Sequence, residues 1–216
     1  MFGDYLIPLK VNRLKWLGSL VHPSIQRLDH EIKNCRLCQG HLPYEPNPIF
    51  FIKPATKILI FGQAPGFRAH QNGLSWNDPS GDRLRAWIGV DRNVFYNNPF
   101  ISCMGMGFCF PGQNTRKADL PPRPECAVAW HGKILKFLLD IEIILLVGIY
   151  TRRFYLPIPA KQQLKLCIEK WRDYLPKCWI LPHPSWHNNY LLQKKSVVMK
   201  QLIPALQERV QTMMSS

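Results

Sequence analysis

A histidine and a tryptophan in this sequence have the type and setting that suit chemistry on a planar ring. His183 lies between Pro182 and Pro184, and prolines on both sides restrict a short loop to one conformation. A neutral imidazole held in one orientation can donate a hydrogen bond to an oxygen on which negative charge develops. Trp76 lies in a polar loop beside Ser75, where its indole can stack on a planar ring. A place in the core is the alternative for Trp76.

The cysteines offer a second kind of chemistry. Cys35 and Cys38 form a Cys-x-x-Cys pair, which fits a structural zinc site or an iron–sulfur cluster. Ordinary buried thiols are the alternative. The chain has seven cysteines, and this odd number makes a disulfide framework a poor explanation.

Apolar patterns along the chain predict the elements that must position these residues. Largely apolar runs predict strands at 57–61, 95–103, 142–147 and 178–181. Helical spacing predicts helices at 21–37, 126–139, 162–171 and 190–210, and a further helix with Ser80 as its N-cap. Such strands, separated by helices, indicate a parallel sheet covered on both faces. We therefore expect an α/β fold, a three-layer α/β/α sandwich with a central four-stranded parallel sheet.

The unusual loops begin where predicted strands end. The segment 63–80 reads as one long loop after the first strand, and His183 follows the last strand. Because parallel sheets bind ligands at the carboxyl ends of their strands, we expect Trp76 and His183 to meet at that edge. The first loop opens with Gly62, Gln63, Ala64, Pro65 and Gly66. It lacks the glycine pattern of a dinucleotide fingerprint and the Gly-Lys-Ser/Thr of a P-loop.

Length and charge indicate the class of protein and of partner. With 216 residues, the chain is expected to form a single domain over 1–216, with 1–18 as an N-terminal arm. The formal net charge of +14 favours a polyanion such as a nucleic acid, although solubility alone could also account for it. No apolar run reaches the roughly 20 residues of a membrane span, and no secretory signal is evident. We expect a cytoplasmic monomer without a membrane partner.

Taken together, these motifs resemble the uracil-DNA glycosylase superfamily, over about Cys35 to Pro204. The resemblance rests on Gly62-Gln63-Ala64-Pro65-Gly66, Gly73-Leu74-Ser75-Trp76, Ser80-Gly81 and Leu181-Pro182-His183-Pro184-Ser185. It is strongest to the iron–sulfur-bearing family-4 branch, whose first loop reads Gly-Glu-Ala-Pro-Gly.

The resemblance implies an enzyme of base excision repair that flips uracil, or a related damaged base, out of DNA and excises it. His183 would stabilise the departing base and Trp76 would stack on it. Gln63 would contact the base or position water, with Gly62, Ala64, Pro65 and Gly66 lining the base pocket. A noncatalytic nucleic-acid-binding relative that keeps the fold and the metal is the alternative.

The same resemblance implies DNA contacts and a cofactor. Phosphate contacts would come from Ser80, Gly81, Ser185 and Arg68, with Arg83 and Arg85 as further candidates, and Trp186 or Tyr190 would fill the space of the flipped base. Four cysteines would hold a 4Fe–4S cluster: Cys35, Cys38, Cys109 and Cys126. Zinc and the absence of any metal are the alternatives, and Cys103 could replace Cys109. Cys167 and Cys178 would be buried thiols.

Two positions depart from the superfamily pattern. The classical enzymes carry an Asp at the position of Ala64, where it positions water and stabilises the sugar cation; family 4 has Ala there. Family-4 enzymes read the uracil edge with an Asn at the position of Gly105. Asn97 and Asn98 precede the predicted strand end and are expected at its wrong end. An altered substrate or weakened activity would follow from the loss of that amide.

Overall fold

A computed structural model of the chain describes residues 24–156, 164–185 and 196–215. The predicted N-terminal arm and both candidates for the wedge, Trp186 and Tyr190, lie outside these ranges. Within them, every helix is too short or too polar to cross a lipid bilayer.

A four-stranded, all-parallel sheet forms the centre of the fold, with helices around it. The strands are β1 (Ile58–Gly62), β2 (Ile101–Gly105), β3 (Ile143–Val147) and β4 (Cys178–Leu181), in the order β2-β1-β3-β4. Nearly every strand residue is buried, as expected for a parallel sheet covered on both faces. The predicted α/β/α architecture is therefore confirmed.

The strand order places a crevice beside β1. Gly62 of β1 pairs with Gly105 of β2, and Phe61 pairs with Leu146 of β3, so the carboxyl ends of these strands are level. The chain runs from β1 to β2 on one side of it and then crosses from β2 to β3 on the other side. Such a switch point is where open α/β sheets bind ligands.

Among the described residues, helices occur in all five predicted regions with different bounds, and three further short helices were not predicted. The helices are α1 (Ile25–Lys33), α2 (Phe67–Asn72), α3 (Pro79–Ile88), α4 (Arg92–Asn97), α5 (Pro124–Leu135), α6 (Ile149–Tyr155), α7 (Leu164–Glu169) and α8 (Ser196–Ser215), with 3₁₀ turns at Gln39–His41 and Trp171–Tyr174. Leu202, Leu206 and Val210 of α8 are buried, which agrees with their spacing of four residues.

Two predicted segments were wrong in type. The loop predicted for 63–80 contains α2, which ends at Gly73, a residue in the left-handed conformation that glycine adopts without strain. The strand predicted for 95–103 is instead the end of α4 followed by β2. Asp91 determines this difference, because its carboxylate accepts a hydrogen bond from the Val94 amide at 2.7 Å and starts a helix.

The predicted start of α3 was also wrong. Asp78, not Ser80, is the N-cap, and its Oδ1 accepts a hydrogen bond from the Gly81 amide at 2.8 Å. Pro79 occupies the first helical position, where its fixed φ suits the helix and its missing N–H costs nothing. Ser80 therefore lies inside the first turn.

Candidate active site

A cleft of about 630 Å³ opens at the carboxyl edge of the sheet. Its walls come from the loops after β1, β2 and β4 and from a hairpin at 113–119. Most of the predicted site residues line it: Gly62, Gln63, Ala64, Pro65, Gly66, Arg68, Trp76, Ser80, His183 and Ser185. Gly81 is buried and does not line it.

The Trp76 indole forms part of the cleft floor. It packs on Gly62 so closely that a Cβ at Gly62 would lie 3.0 Å from Cζ2 of the indole. Its Nε1–H donates to the Sγ of Cys103 at 3.0 Å. The thiol lies beneath the ring in β2 and fixes the ring's orientation. Cys103 is thus a site residue that the sequence patterns did not reveal.

The backbone of Trp76 is held in an unusual conformation. Its φ of 59° lies in the left-handed region, which costs a bulky residue roughly 1–3 kcal/mol. Arg85 donates to the Trp76 carbonyl at 3.0 Å. A Cβ on Gly81 would lie 1.7 Å from that carbonyl oxygen, so only glycine fits there.

Arg85 does not face DNA. Its side chain is buried, and its guanidinium lies over the rings of Phe95 and Tyr96 at 5.4 and 5.7 Å. It pairs with Asp82 and supports the Trp76 loop. The suggested role of Arg85 in tracking the DNA backbone is therefore wrong.

His183 stacks on Trp76, with ring centroids 5.7 Å apart and planes 29° apart. The backbone N–H of Ser185 donates to Nδ1 of His183 at 3.3 Å. Because Nδ1 accepts this bond, the proton of the neutral ring is on Nε2. Burial lowers the pKa of His183, while the carboxylates of Asp78 and Asp119 oppose this shift. The ring is therefore a neutral donor at neutral pH.

Close backbone packing explains Gly105. A Cβ at this position would lie 2.4 Å from the carbonyl oxygen of Gly107 and 3.2 Å from that of Gln63. The Gly107 amide donates to the Gln63 carbonyl at 3.0 Å, which ties the loops after β1 and β2 together. An Asn at 105 does not fit this arrangement. Asn97 and Asn98 precede β2 and so lie at its amino end, away from the cleft.

A buried histidine holds Gly105 from behind. Nε2–H of His131 in α5 donates to the Gly105 carbonyl at 2.9 Å, and the hydroxyl of Tyr155 donates to Nδ1 at 2.5 Å. Burial lowers the pKa of His131 to about 4, so this ring is also neutral. The helical pattern of α5 gave no sign of this role, because a histidine on an apolar helix face is usually only a core residue.

Gln63 lies at the switch point of the sheet. Its Nε2 is 2.8 Å from the position that a Cβ on Gly148 would occupy, just beyond the end of β3. Gly148 has a φ of 92°, a conformation that favours glycine. The Gln63 amide therefore lies against the chain just after β3, and Gln63 lines the cleft.

Cationic side chains surround the cleft, but the predicted phosphate site at the start of α3 needs correction. Arg68, Arg83 and Lys117 line the cleft. The amide of Gly81, proposed for phosphate, already donates to Asp78. Ser185 accepts a hydrogen bond from Arg83 through its carbonyl at 3.4 Å. Phosphate contact by the Gly81 amide is thus wrong as stated.

The cysteines of the predicted cluster line a second, small cavity. All four border it: Cys35, Cys38, Cys109 and Cys126. Burial raises the pKa of Cys126 to about 12, and the neighbouring thiolates add to the shift. Cys103 is elsewhere, under Trp76, and does not replace Cys109. In the described ranges no three His, Cys, Asp or Glu side chains have the geometry of a bound metal ion.

A family comparison agrees with the arrangement of the cleft. The model of the uracil DNA glycosylase superfamily matches residues 49–207, which include all four strands and the cleft loops. The chain therefore belongs to the uracil DNA glycosylase superfamily.

Proposed function

We propose that this protein is a DNA glycosylase that hydrolyses the bond between deoxyribose and a flipped-out uracil, or a closely related deaminated base, in base excision repair. The observation that carries this proposal is the meeting of Trp76 and His183 in one cleft, with the His183 proton on Nε2. An aromatic face and a fixed neutral donor are what recognition and departure of a pyrimidine require.

The reaction follows from these two side chains. The base stacks on Trp76, and its C1′–N bond breaks with the electron pair remaining on the base. Nε2–H of His183 donates to the base carbonyl oxygen, where negative charge collects. Water adds to C1′, and the base leaves with the proton. One such preorganised donor contributes on the order of 3 kcal/mol.

Charge supports DNA as the partner. The net charge of +14 allows release of counterions from phosphates on binding. Arg68 and Lys117 border the cleft and are exposed, so they can reach phosphates beside the flipped nucleotide. Ser80 and Ser185 hydroxyls are further candidates at the same mouth.

A glycosylase assay tests the proposal. Duplex and single-stranded oligonucleotides carrying uracil, hypoxanthine, xanthine or 5-hydroxymethyluracil are incubated with the protein, and abasic sites are cleaved with alkali. We expect strand cleavage at uracil or one related base. Absence of product from every substrate would contradict the proposal.

A noncatalytic DNA-binding relative is the second candidate, and Gly105 favours it. The backbone there leaves no room for the amide that reads uracil in the related branch. In the same assay, tight DNA binding without any abasic product would support this candidate.

We further propose that Cys35, Cys38, Cys109 and Cys126 hold a 4Fe–4S cluster. Four thiols border one cavity, with Leu37, Phe108 and Trp130 beside them, and a set of four thiolates suits iron–sulfur or zinc. The Phe108 amide donates to Cys126 Sγ at 3.3 Å, a contact common around such sulfurs. A cluster here would be structural, joining the chain after α1 to the start of α5.

Metal analysis distinguishes the alternatives for these cysteines. We expect roughly four iron and four acid-labile sulfide per chain after anaerobic purification. Cys109→Ala should lose most of the iron, whereas Cys167→Ala, which removes a buried thiol outside the cavity, should keep it. About one zinc per chain without iron would favour zinc. A protein purified without either metal would contradict both the iron–sulfur and the zinc alternative.

A further inference from the structure

We propose that Asp119 is the carboxylate that stabilises the sugar cation and accepts the proton of the attacking water. This inference rests on the proposed glycosylase activity and assigns a residue to a task that the loop after β1 leaves open.

The reaction creates a need for negative charge near the sugar. Breaking a glycosidic bond produces an oxocarbenium-like transition state, which enzymes stabilise with carboxylates. Ala64 supplies none. Of the described residues that line the cleft, only Asp78 and Asp119 are acidic.

Asp78 has a structural task. Its Oδ1 accepts the hydrogen bond from the Gly81 amide that caps α3. This bond orients the carboxylate toward the helix, and such a cap contributes about 1 kcal/mol to stability. The helix thus fixes the position of Asp78.

Asp119 is held over the cleft by a hairpin. Asn114 and Ala118 close its turn through a hydrogen bond of 2.9 Å between the Asn114 amide and the Ala118 carbonyl. Gln113 pairs with Asp119 across the hairpin, and its Nε2 donates to Asp119 Oδ1 at 3.0 Å. One carboxylate oxygen is therefore fixed by an amide from the same hairpin.

The other oxygen points at the predicted base-binding loop. Oδ2 of Asp119 lies 3.3 Å from the position that a Cβ on Gly66 would occupy. Because Gly66 has no side chain, the carboxylate can lie close to the backbone of this loop, where both residues line the cleft. Asp119 and His183 line the same cleft, and the carboxylates of Asp78 and Asp119 both oppose the lowering of the His183 pKa by burial.

The step balances with water alone. The C1′–N electron pair leaves with the base while the Asp119 carboxylate faces the positive charge on C1′ and the ring oxygen. The water oxygen bonds to C1′, and its proton passes to Asp119. Solvent then carries that proton to the base anion, so the products are the abasic sugar and the neutral base.

Matched charge removals test the assignment. Asp119→Asn keeps the acceptor for Gln113, and Asp78→Asn keeps a good helix cap. We expect Asp119→Asn to lower the single-turnover rate at least about tenfold with little change in DNA affinity. The single-turnover rate of Asp78→Asn should fall much less. An equal loss in both variants, or a full rate in Asp119→Asn, would overturn the assignment.

Binding of a cation mimic gives a second readout that needs no turnover and that a purely structural role would not change. Oligonucleotides carry either a pyrrolidine, positively charged at the C1′ position, or a neutral tetrahydrofuran. Wild type should prefer the pyrrolidine, and Asp119→Asn should lose that preference while keeping its melting temperature. A wild type that forms no abasic product overturns the proposed function and this inference together. An active wild type whose Asp119→Asn variant keeps the preference overturns this inference alone.

Discussion

His183→Ala is expected to lower the single-turnover rate of base excision about 100- to 1,000-fold, because it removes a donor aimed at charge that develops in the transition state. The Ser185 amide fixes the ring with its proton on Nε2, so no reorganisation is needed when the base departs. Quantifying abasic sites under enzyme excess isolates the chemical step from product release. DNA affinity should change far less than the rate.

A control histidine and a pH profile separate this role from packing. His30→Ala alters an exposed position on α1 and should keep the wild-type rate. Burial lowers the pKa of His183, so the neutral ring persists as pH falls and is lost only below its usual titration range. The acid limb of the wild-type profile should therefore lie below about pH 6.5. A His183→Ala variant with the wild-type rate would rule out His183 as the donor.

Gly105→Ala is expected to lower the free energy of unfolding by about 2–3 kcal/mol, because overpacking forces the backbone to move. The added Cβ would lie 2.4 Å from the Gly107 carbonyl oxygen, and His131 holds the Gly105 carbonyl from the other side. Urea denaturation measures the change. Gly105→Asn should be at least as destabilised and should not gain activity on uracil.

Gly132→Ala is the matched control for this measurement. A Cβ on Gly132 in α5 would meet nothing within 4 Å, so alanine there should stabilise the helix by up to about 1 kcal/mol. Equal stability of Gly105→Ala and wild type would show that the loops after β1 and β2 accommodate a side chain. Close packing would then not explain the glycine at 105.

The sheet could be predicted from the sequence because a strand that is buried on both faces is a continuous apolar run. The segment 178–181 is fully apolar, and β4 has these bounds. Trp76 and His183 could be assigned to one edge because each follows a strand end. These inferences need only local composition and one topological rule.

Other parts of the site depend on contacts between segments that are distant in the sequence. Local composition does not predict such contacts. Nothing in the loop before α5 shows that Asp119 reaches Gly66, or that Cys103 lies under Trp76. The N-cap of α3 was predicted wrongly for a different reason. Ser80 and Asp78 are both good caps, and Pro79 decides between them by its fixed φ.

The tight contact at Gly105 also limits how the cleft can be redesigned. Because the Gly107 and Gln63 carbonyls occupy the space of any side chain at 105, a single substitution cannot place an amide there without moving the backbone. The backbone after β1 and β2 would have to shift first, and such a shift would disturb the walls of the cleft. A substitution meant to change what the cleft accepts must therefore be made at another residue that lines it.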